Sequence, residues 1–210
     1  MKFYRYPVLG RMACPGAWYR LRPPVPAVYL TFDDGPDPAS TPVILDILDR
    51  FDAKATFFCL GERAKAWPEL AEQIKNRGHR LAAHGQEHLK AFSTSGRSWL
   101  DNAVQGAMQA NSPLFRPPYG QILPGQCRVL KKMGLQVVLW DLMLYDFQAG
   151  AEAAAMLRVF QRKARPGSIV VMHDKPRLNG LTRELLPAIL DEMQQRNWQA
   201  IHLPLPGENR

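Results

Sequence analysis

Residues 27–38 read AVYLTFDDGPDP. Ala27 to Phe32 form an apolar run that contains Val, Tyr, Thr and Phe, and it stops at a turn made of Asp, Gly and Pro. A run of this kind, bounded by turn residues, reads as a buried strand. Asp33 and Asp34 then stand side by side at its end. Two carboxylates this close repel unless a cation or an arginine offsets them. Neighbouring residues at a strand end point to opposite sides, so the two are expected to serve different roles. Taken alone, the pair fits a solvated Asp-Asp-Gly turn as well as a functional site.

Outward from this strand the chain alternates. TPVILDILDRF (41–51) carries apolar residues at helical spacing, with Thr41 as the expected N-cap and Pro42 at the first helical position. Further strands are expected at ATFFCLG (55–61), RLAAH (80–84), LQVVLWD (135–141), GSIVVMHD (167–174) and WQAIHL (198–203). Helices are expected at 68–78, 96–110, 125–134, 151–164 and 181–196. LQVVLW and SIVVM are apolar throughout, so both faces of those strands are buried. The alternation places the chain in the α/β class with a mainly parallel sheet. The count and spacing favour a small, incomplete barrel over an open doubly wound sheet. No GxGxxG follows the first strand, which removes the main argument for a dinucleotide fold. Residues 1–26 read as a lead-in that ends in the extended segment RPPVP (22–26), and 27–210 as one domain.

The composition excludes other classes. At 210 residues, 46% hydrophobic and 22% charged, the chain suits one soluble globular domain. The net charge of +8 favours acidic partners. Its Lys and Arg residues are scattered, however, and no nucleic-acid-binding motif is present, so nucleic acid is not expected as a partner. No apolar stretch reaches the roughly 20 residues of a spanning helix. Arg5, Pro7, Gly10 and Arg11 interrupt the N-terminus where a signal peptide would be apolar. A cytoplasmic monomer is the expectation, with export or surface association left open. Cys14, Cys59 and Cys127 are too few and too spread for a disulfide framework, and the odd count fits a reducing compartment. Cys59, within TFFCL, is expected in the core.

Polar residues gather where apolar runs end. In AAHGQEHLK, His84 is expected to close a strand and His88 to lie on the following turn. With Asp34 they make two imidazoles and a carboxylate, a set that suits Zn²⁺ or a similar divalent ion and leaves positions for water and substrate. In FRPPYG, Arg116 can hold a carboxylate through parallel hydrogen bonds. The stiff loop after it suits presenting the Tyr119 N–H to an oxyanion. WDLMLYDF carries Asp141 and Asp146 towards the mouth of the sheet, and SIVVMHD delivers His173, a natural general acid. His79 and His202 read as structural. Each motif alone leaves an ordinary alternative open: unrelated loop histidines, a surface loop, a core histidine.

Together TFDDGPD, HGQEH, RPPYG, WDLMLYDF and IVVMH resemble, in order, the five motifs of the polysaccharide deacetylase family (NodB homology domain, carbohydrate esterase family four). The resemblance spans about Ala27 to Leu203. It implies that residues 27–210 form a distorted, incomplete (β/α) barrel, a catalytic domain that removes N-acetyl groups from amino sugars with one divalent metal ion. Zn²⁺ is expected, with Co, Ni or Mn also suitable. It implies Asp33 as catalytic base and Asp34, His84 and His88 as metal ligands. Arg116 would hold Asp33, the Tyr119 N–H would serve the oxyanion, and Asp146 would orient His173 as general acid. Trp140, Ile169 and Val171, with Tyr119, would contact the substrate and line the slot for the acetyl methyl. Two positions depart from the family pattern. Gly85 replaces a Ser or Thr, with the expectation of a looser His88, and Phe147 replaces a Trp, with the expectation of an altered groove. Hydrolysis of a non-sugar amide or cyclic imide is the rival activity, and a non-catalytic glycan-binding domain the rival class.

Overall fold

A computed structural model of the chain describes residues 4–208. The strands are β1 (Ala27–Asp33), β2 (Thr56–Cys59), β3 (Arg80–Ala83), β4 (Leu114–Phe115), β5 (Gln136–Val137), β6 (Leu142–Met143), β7 (Ile169–His173) and β8 (Gln199–Ala200). They run parallel in the order β5-β4-β3-β2-β1-β7-β6, with β8 beside the start of β1. β5 and β6 are consecutive pieces of one run, residues 136–143. That run pairs first with β4 and then bends to pair with β7. One bent run thus joins the two ends of the sheet, and the result is a distorted, incomplete barrel.

Period-two alternation decides what faces inward. In β1, Val28, Leu30 and Phe32 face the helices, and Phe32 stacks on Phe57 of β2 at 5.2 Å. Tyr29 faces the barrel interior with Phe58, Ala82, Leu114, Val138 and Ile169. The same alternation carries Asp33 inward at the top of β1, beside His173 of β7 in register. It also carries His84 and Arg116 inward just past β3 and β4.

The helices are α1 (Val8–Ala13), α2 (Thr41–Arg50), α3 (Gly61–Ala66), α4 (Pro68–Asn76), α5 (Gly96–Ala110), α6 (Pro124–Lys132), α7 (Ala153–Lys163) and α8 (Asn179–Gln195). Of the expected stripe Val43, Ile44, Ile47, Leu48 and Phe51, α2 buries Ile44, Ile47 and Leu48 and leaves Val43 and Phe51 half-buried, and it buries Leu45 as well. Its cap differs from expectation. Ser40 precedes the helix, and Thr41 turns its hydroxyl to the buried Asp174 at 2.6 Å. α1 and α3 were not anticipated, because each is too short to show a period. The last expected strand shrinks to Gln199–Ala200.

The reading of the cysteines is corrected. Cys14 and Cys127 form a disulfide that ties the segment after α1 to α6 across 113 residues. Only Cys59 is free, in the core. A bridge closing so long a loop contributes on the order of 2–5 kcal/mol. Residues ahead of β1 also join the fold. Trp18 exchanges backbone bonds with the bent run, donating to Val137 O and accepting from Leu139 N. Asp141 is a second correction. It precedes β6, at the far end of the barrel from His173, and is buried there against Arg5, Arg165 and Ser168. Burial opposes its charge, but those three partners hold its carboxyl below its ordinary range.

Candidate metal centre and active site

Asp33, Asp34, His84, His88, Tyr119, Trp140 and His173 line one cleft of about 550 Å³ at the C-terminal ends of the strands. In α/β barrels this is the edge where chemistry is assembled. Asp34 does not point away from Asp33, as a regular strand end would require. Its φ of 79° lies in the left-handed region and turns the carboxylate back into the cleft. Gly35 permits the turn, since a Cβ there would lie 2.2 Å from the Asp174 carboxylate.

Asp34, His84 and His88 each offer one ligand atom, and the three atoms lie within 4.8 Å of one another. Asp34 Oδ1 is 3.6 Å from His84 Nε2 and 3.2 Å from His88 Nε2. Ligands about 2.0–2.1 Å from a tetrahedral ion stand about 3.3–3.5 Å apart, so the set fits one small divalent ion. His84 Nδ1 donates to the Arg116 carbonyl at 2.8 Å, which leaves Nε2 as the lone-pair nitrogen facing the site. Burial, and then His84, push the His88 pKa down to about 4 against the pull of Asp34, so the ring is neutral at pH 7. Burial opposes the charge on Asp34, yet His84, His173 and Lys175 together hold it well below the usual carboxylate range. A neutral His88 imidazole and an ionised Asp34 carboxylate are protonation states that metal binding needs.

Asp33 sits beside this set and is held differently. Arg116, fully buried, donates from Nη1 to Asp33 Oδ1 at 2.7 Å and to Thr31 Oγ1 at 2.7 Å. Its Nη2 donates to Leu139 O at 3.1 Å, and its guanidinium lies 4.0 Å over the Phe58 ring. On the neighbouring strand β7, His173 Nδ1 donates to Asp146 Oδ1 at 2.7 Å, and the His173 backbone N–H donates to Asp146 Oδ2 at 2.7 Å. His173 Nε2 is thereby left to the cleft. Burial lowers the His173 pKa, but Asp146, Asp33 and Asp34 outweigh it and the net direction is upward. Tyr119 lies in a 3₁₀ turn, Pro118–Gly120, with φ 58°, and its ring meets His88 edge-on at 4.4 Å.

Asp33, Asp34, His84, His88, Arg116, Tyr119, Trp140, Asp146 and His173 are therefore brought together. Ile169 and Val171 are not cleft residues. Both are fully buried in β7, level with Tyr29 and Thr31, below the cleft floor. Met143, Tyr145, Phe147, Ile122 and Tyr6 supply the apolar wall instead. Phe147, in the place of the family's Trp, packs edge-on against His173 at 4.9 Å.

Three residues were missed. Lys175 Nζ bonds the other oxygen of Asp34 at 2.8 Å. Its position two residues past His173 was the available signal. Asp174, buried beneath the DDGPDP turn, accepts from the hydroxyls of Ser40 and Thr41, and burial pushes its pKa up to about 6. Asn102 of α5 binds the turn that carries His88. It accepts from Glu87 N at 2.8 Å, and its Nδ2 donates to Glu87 O at 2.9 Å. A side chain at Gly85 would meet that Asn102 amide at 2.7 Å, and Gly85 has φ 90°. Asn102 thus secures the turn without a hydroxyl at position 85. Asn102→Ala is expected to weaken metal binding roughly tenfold, the usual scale for groups that orient ligands. A chelator-competition titration measures it, and an unchanged dissociation constant would show the turn supports itself.

The chain is similar in sequence and in fold to known deacetylases. The family model described as polysaccharide deacetylase matches residues 20–138. A peptidoglycan-N-acetylglucosamine deacetylase of Bacillus cereus is 32% identical over 180 residues, covering 83% of this chain and 84% of its own. A chitooligosaccharide deacetylase of Azorhizobium caulinodans is 31% identical over 156 residues, covering 70% of this chain and 73% of its own. Among solved structures, the Bc1960 peptidoglycan N-acetylglucosamine deacetylase superposes with a TM-score of 0.84 at 28% identity, over 90% of this chain and 91% of that one. With a family model that spans more than half its length and a relative above 30% identity across most of it, the chain belongs to the polysaccharide deacetylase family.

Proposed function

We propose that the protein hydrolyses N-acetyl groups of amino-sugar glycans of the peptidoglycan or chitin-oligomer type and releases acetate. The observation that carries this reading is the arrangement of Asp34, His84 and His88 as a ligand set, with Asp33 held by Arg116 and His173 held by Asp146 in the same cleft. A divalent ion held by those three residues, Zn²⁺ before Co, Ni or Mn, would polarise the acetamide carbonyl and acidify a water. Asp33 accepts the proton of the attacking water through the oxygen that Arg116 leaves free. The Tyr119 N–H donates to the carbonyl oxygen as it gains charge. As the C–N bond breaks, His173 Nε2 protonates the departing nitrogen, because an amine leaves far more readily than its anion. Trp140, Met143 and Phe147 give the acetyl methyl an apolar wall.

All of these side chains come from one chain, consistent with action as a monomer. Among the described residues no helix is long and apolar enough to cross a membrane. The Cys14–Cys127 disulfide supports an oxidising compartment over the cytoplasmic one expected from the N-terminus. The deciding measurement is acetate release from N-acetylglucosamine oligomers and peptidoglycan fragments by Zn²⁺-loaded, stripped and reloaded protein. Protein that binds one ion yet releases no acetate from either substrate would refute the proposal.

The acid assignment makes a pH prediction. His173 must carry its proton to serve as the acid, so turnover falls as pH rises through its pKa. Asp146 raises that pKa, so Asp146→Asn lowers it. The alkaline limb of the kcat profile is then expected to move to lower pH, with kcat at neutral pH down by roughly 10²-fold. An alkaline limb in the same place would remove His173 from the role.

A further inference from the structure

The chain ahead of β1 reaches further into the cleft than a lead-in would. Along the outer edge of the 136–143 run, the edge away from β4 and β7, backbone from the N-terminal segment stands where a neighbouring strand would. The Met143 N–H donates to Tyr4 O at 2.8 Å, and Trp18 pairs with Val137 and Leu139. Between these anchors Tyr6, Pro7, Gly10 and Ala13 form one wall of the cleft that holds Asp33, His84 and His173. The segment is fixed at both ends. Arg5 bonds the buried Asp141, and Cys14 is joined to Cys127 of α6.

Tyr6 connects this wall to the reacting centre. Its hydroxyl donates to Gly120 O at 2.7 Å, and its ring meets Trp140 edge-on at 4.9 Å. The turn it grips is strained. Tyr119 and Gly120 are consecutive residues at φ 58° and 65°, and for Tyr this is a sparsely populated region. Such backbone persists only where the surroundings over-determine it. A Cβ on Gly120 would fall 2.4 Å from the Trp140 ring, so the turn is pressed against that ring on one side and held by Tyr6 through its carbonyl. α6, which carries Cys127, begins at Pro124, shortly after the turn.

We propose that residues 4–14 are a fixed wall of the catalytic cleft, that Tyr6 is a positioning residue holding the Tyr119–Gly120 turn in its reactive conformation, and that Cys14–Cys127 is the latch. This rests on the deacetylase reading and on the Tyr119 N–H as oxyanion donor. Removing an oxyanion donor outright typically costs about 10²–10³ in rate, and loosening one costs part of that. Interactions that matter only as charge develops act on kcat and leave KM alone.

The test uses the full-length, metal-loaded protein. Tyr6→Phe, which keeps the ring on Trp140, is expected to lower kcat roughly tenfold. Its KM, metal affinity and melting temperature should stay near wild type. The paired Cys14→Ser/Cys127→Ser variant is expected to show a similar kcat loss and faster amide hydrogen exchange across residues 117–122. Reduction of the wild type with a phosphine should reproduce both changes and leave the paired variant unaltered. Wild-type kcat in Tyr6→Phe, a loss confined to KM, or unchanged exchange at 117–122 in the paired variant would each overturn the proposal. Exchange reports on the turn even if no acetate is released, so failure of the activity and failure of the wall are separable. If the paired variant does not fold, Tyr6→Phe decides alone.

Discussion

Asp33→Asn is expected to lower turnover by roughly 10³-fold or more while the protein still binds one metal ion. Loss of a positioned general base costs on the order of 10²–10⁴ in rate. The substitution is close to isosteric, and the amide oxygen can still accept from Arg116 Nη1, so the geometry of the cleft survives. It cannot accept a proton from water at any working pH. The metal set should not notice, because Asp34 is a separate carboxylate, turned into the cleft by its own backbone and held ionised by His84, His173 and Lys175. The check is kcat on a glycan oligomer alongside metal content by elemental analysis. An Asp33→Asn protein with wild-type kcat ends the base assignment. One that loses both metal and activity would move Asp33 into the ligand set.

The residues proposed to act were legible because they occupy inward positions at or one step past the ends of apolar strands. The period that sends Tyr29 and Thr31 into the barrel also sends Asp33 there, and the same holds for His173 above Ile169 and Val171. That period gives direction but not height. Ile169 and Val171 point inward as expected and still miss the cleft, because parallel register places them level with Tyr29 and Thr31. Asp141 fails for a related reason. Residues 136–143 look like one strand in sequence, but the run bends between two partners and leaves Asp141 at the lower end of β6. The Cys14–Cys127 bridge was hidden because a pairing across 113 residues depends on where α1 and α6 come to rest, which no local pattern reports. Asn102 was hidden because a polar residue on a helix ordinarily faces water. Its burial against the His88 turn shows only once α5 is packed on that turn, an approach that Gly106 permits: a Cβ there would lie 2.3 Å from the Gly85 backbone.

Replacing Arg116 should do more damage to the fold than any other single change in the site. Its guanidinium is fully buried and satisfies Asp33, Thr31 and the Leu139 carbonyl together. Arg116→Met keeps most of the volume over Phe58 but strands the buried Asp33 carboxylate without its guanidinium partner. Removing one partner of a buried pair costs about 3–5 kcal/mol, most of it the penalty on the charge left behind. For a chain of this size that corresponds to a melting temperature lower by about 10 °C. The same physics predicts a rescue. If the cost lies in the stranded charge, Arg116→Met/Asp33→Asn should be more stable than Arg116→Met alone, although the double variant carries two lesions. The coupling between the two positions, read from a double-mutant cycle in urea, should exceed about 1 kcal/mol. Stabilities that simply add would mean that Arg116 supports the barrel through Leu139 and Phe58, with Asp33 only an incidental partner. The Asp33–Arg116 pair would then be no part of what ties the chemistry of this site to the stability of the fold.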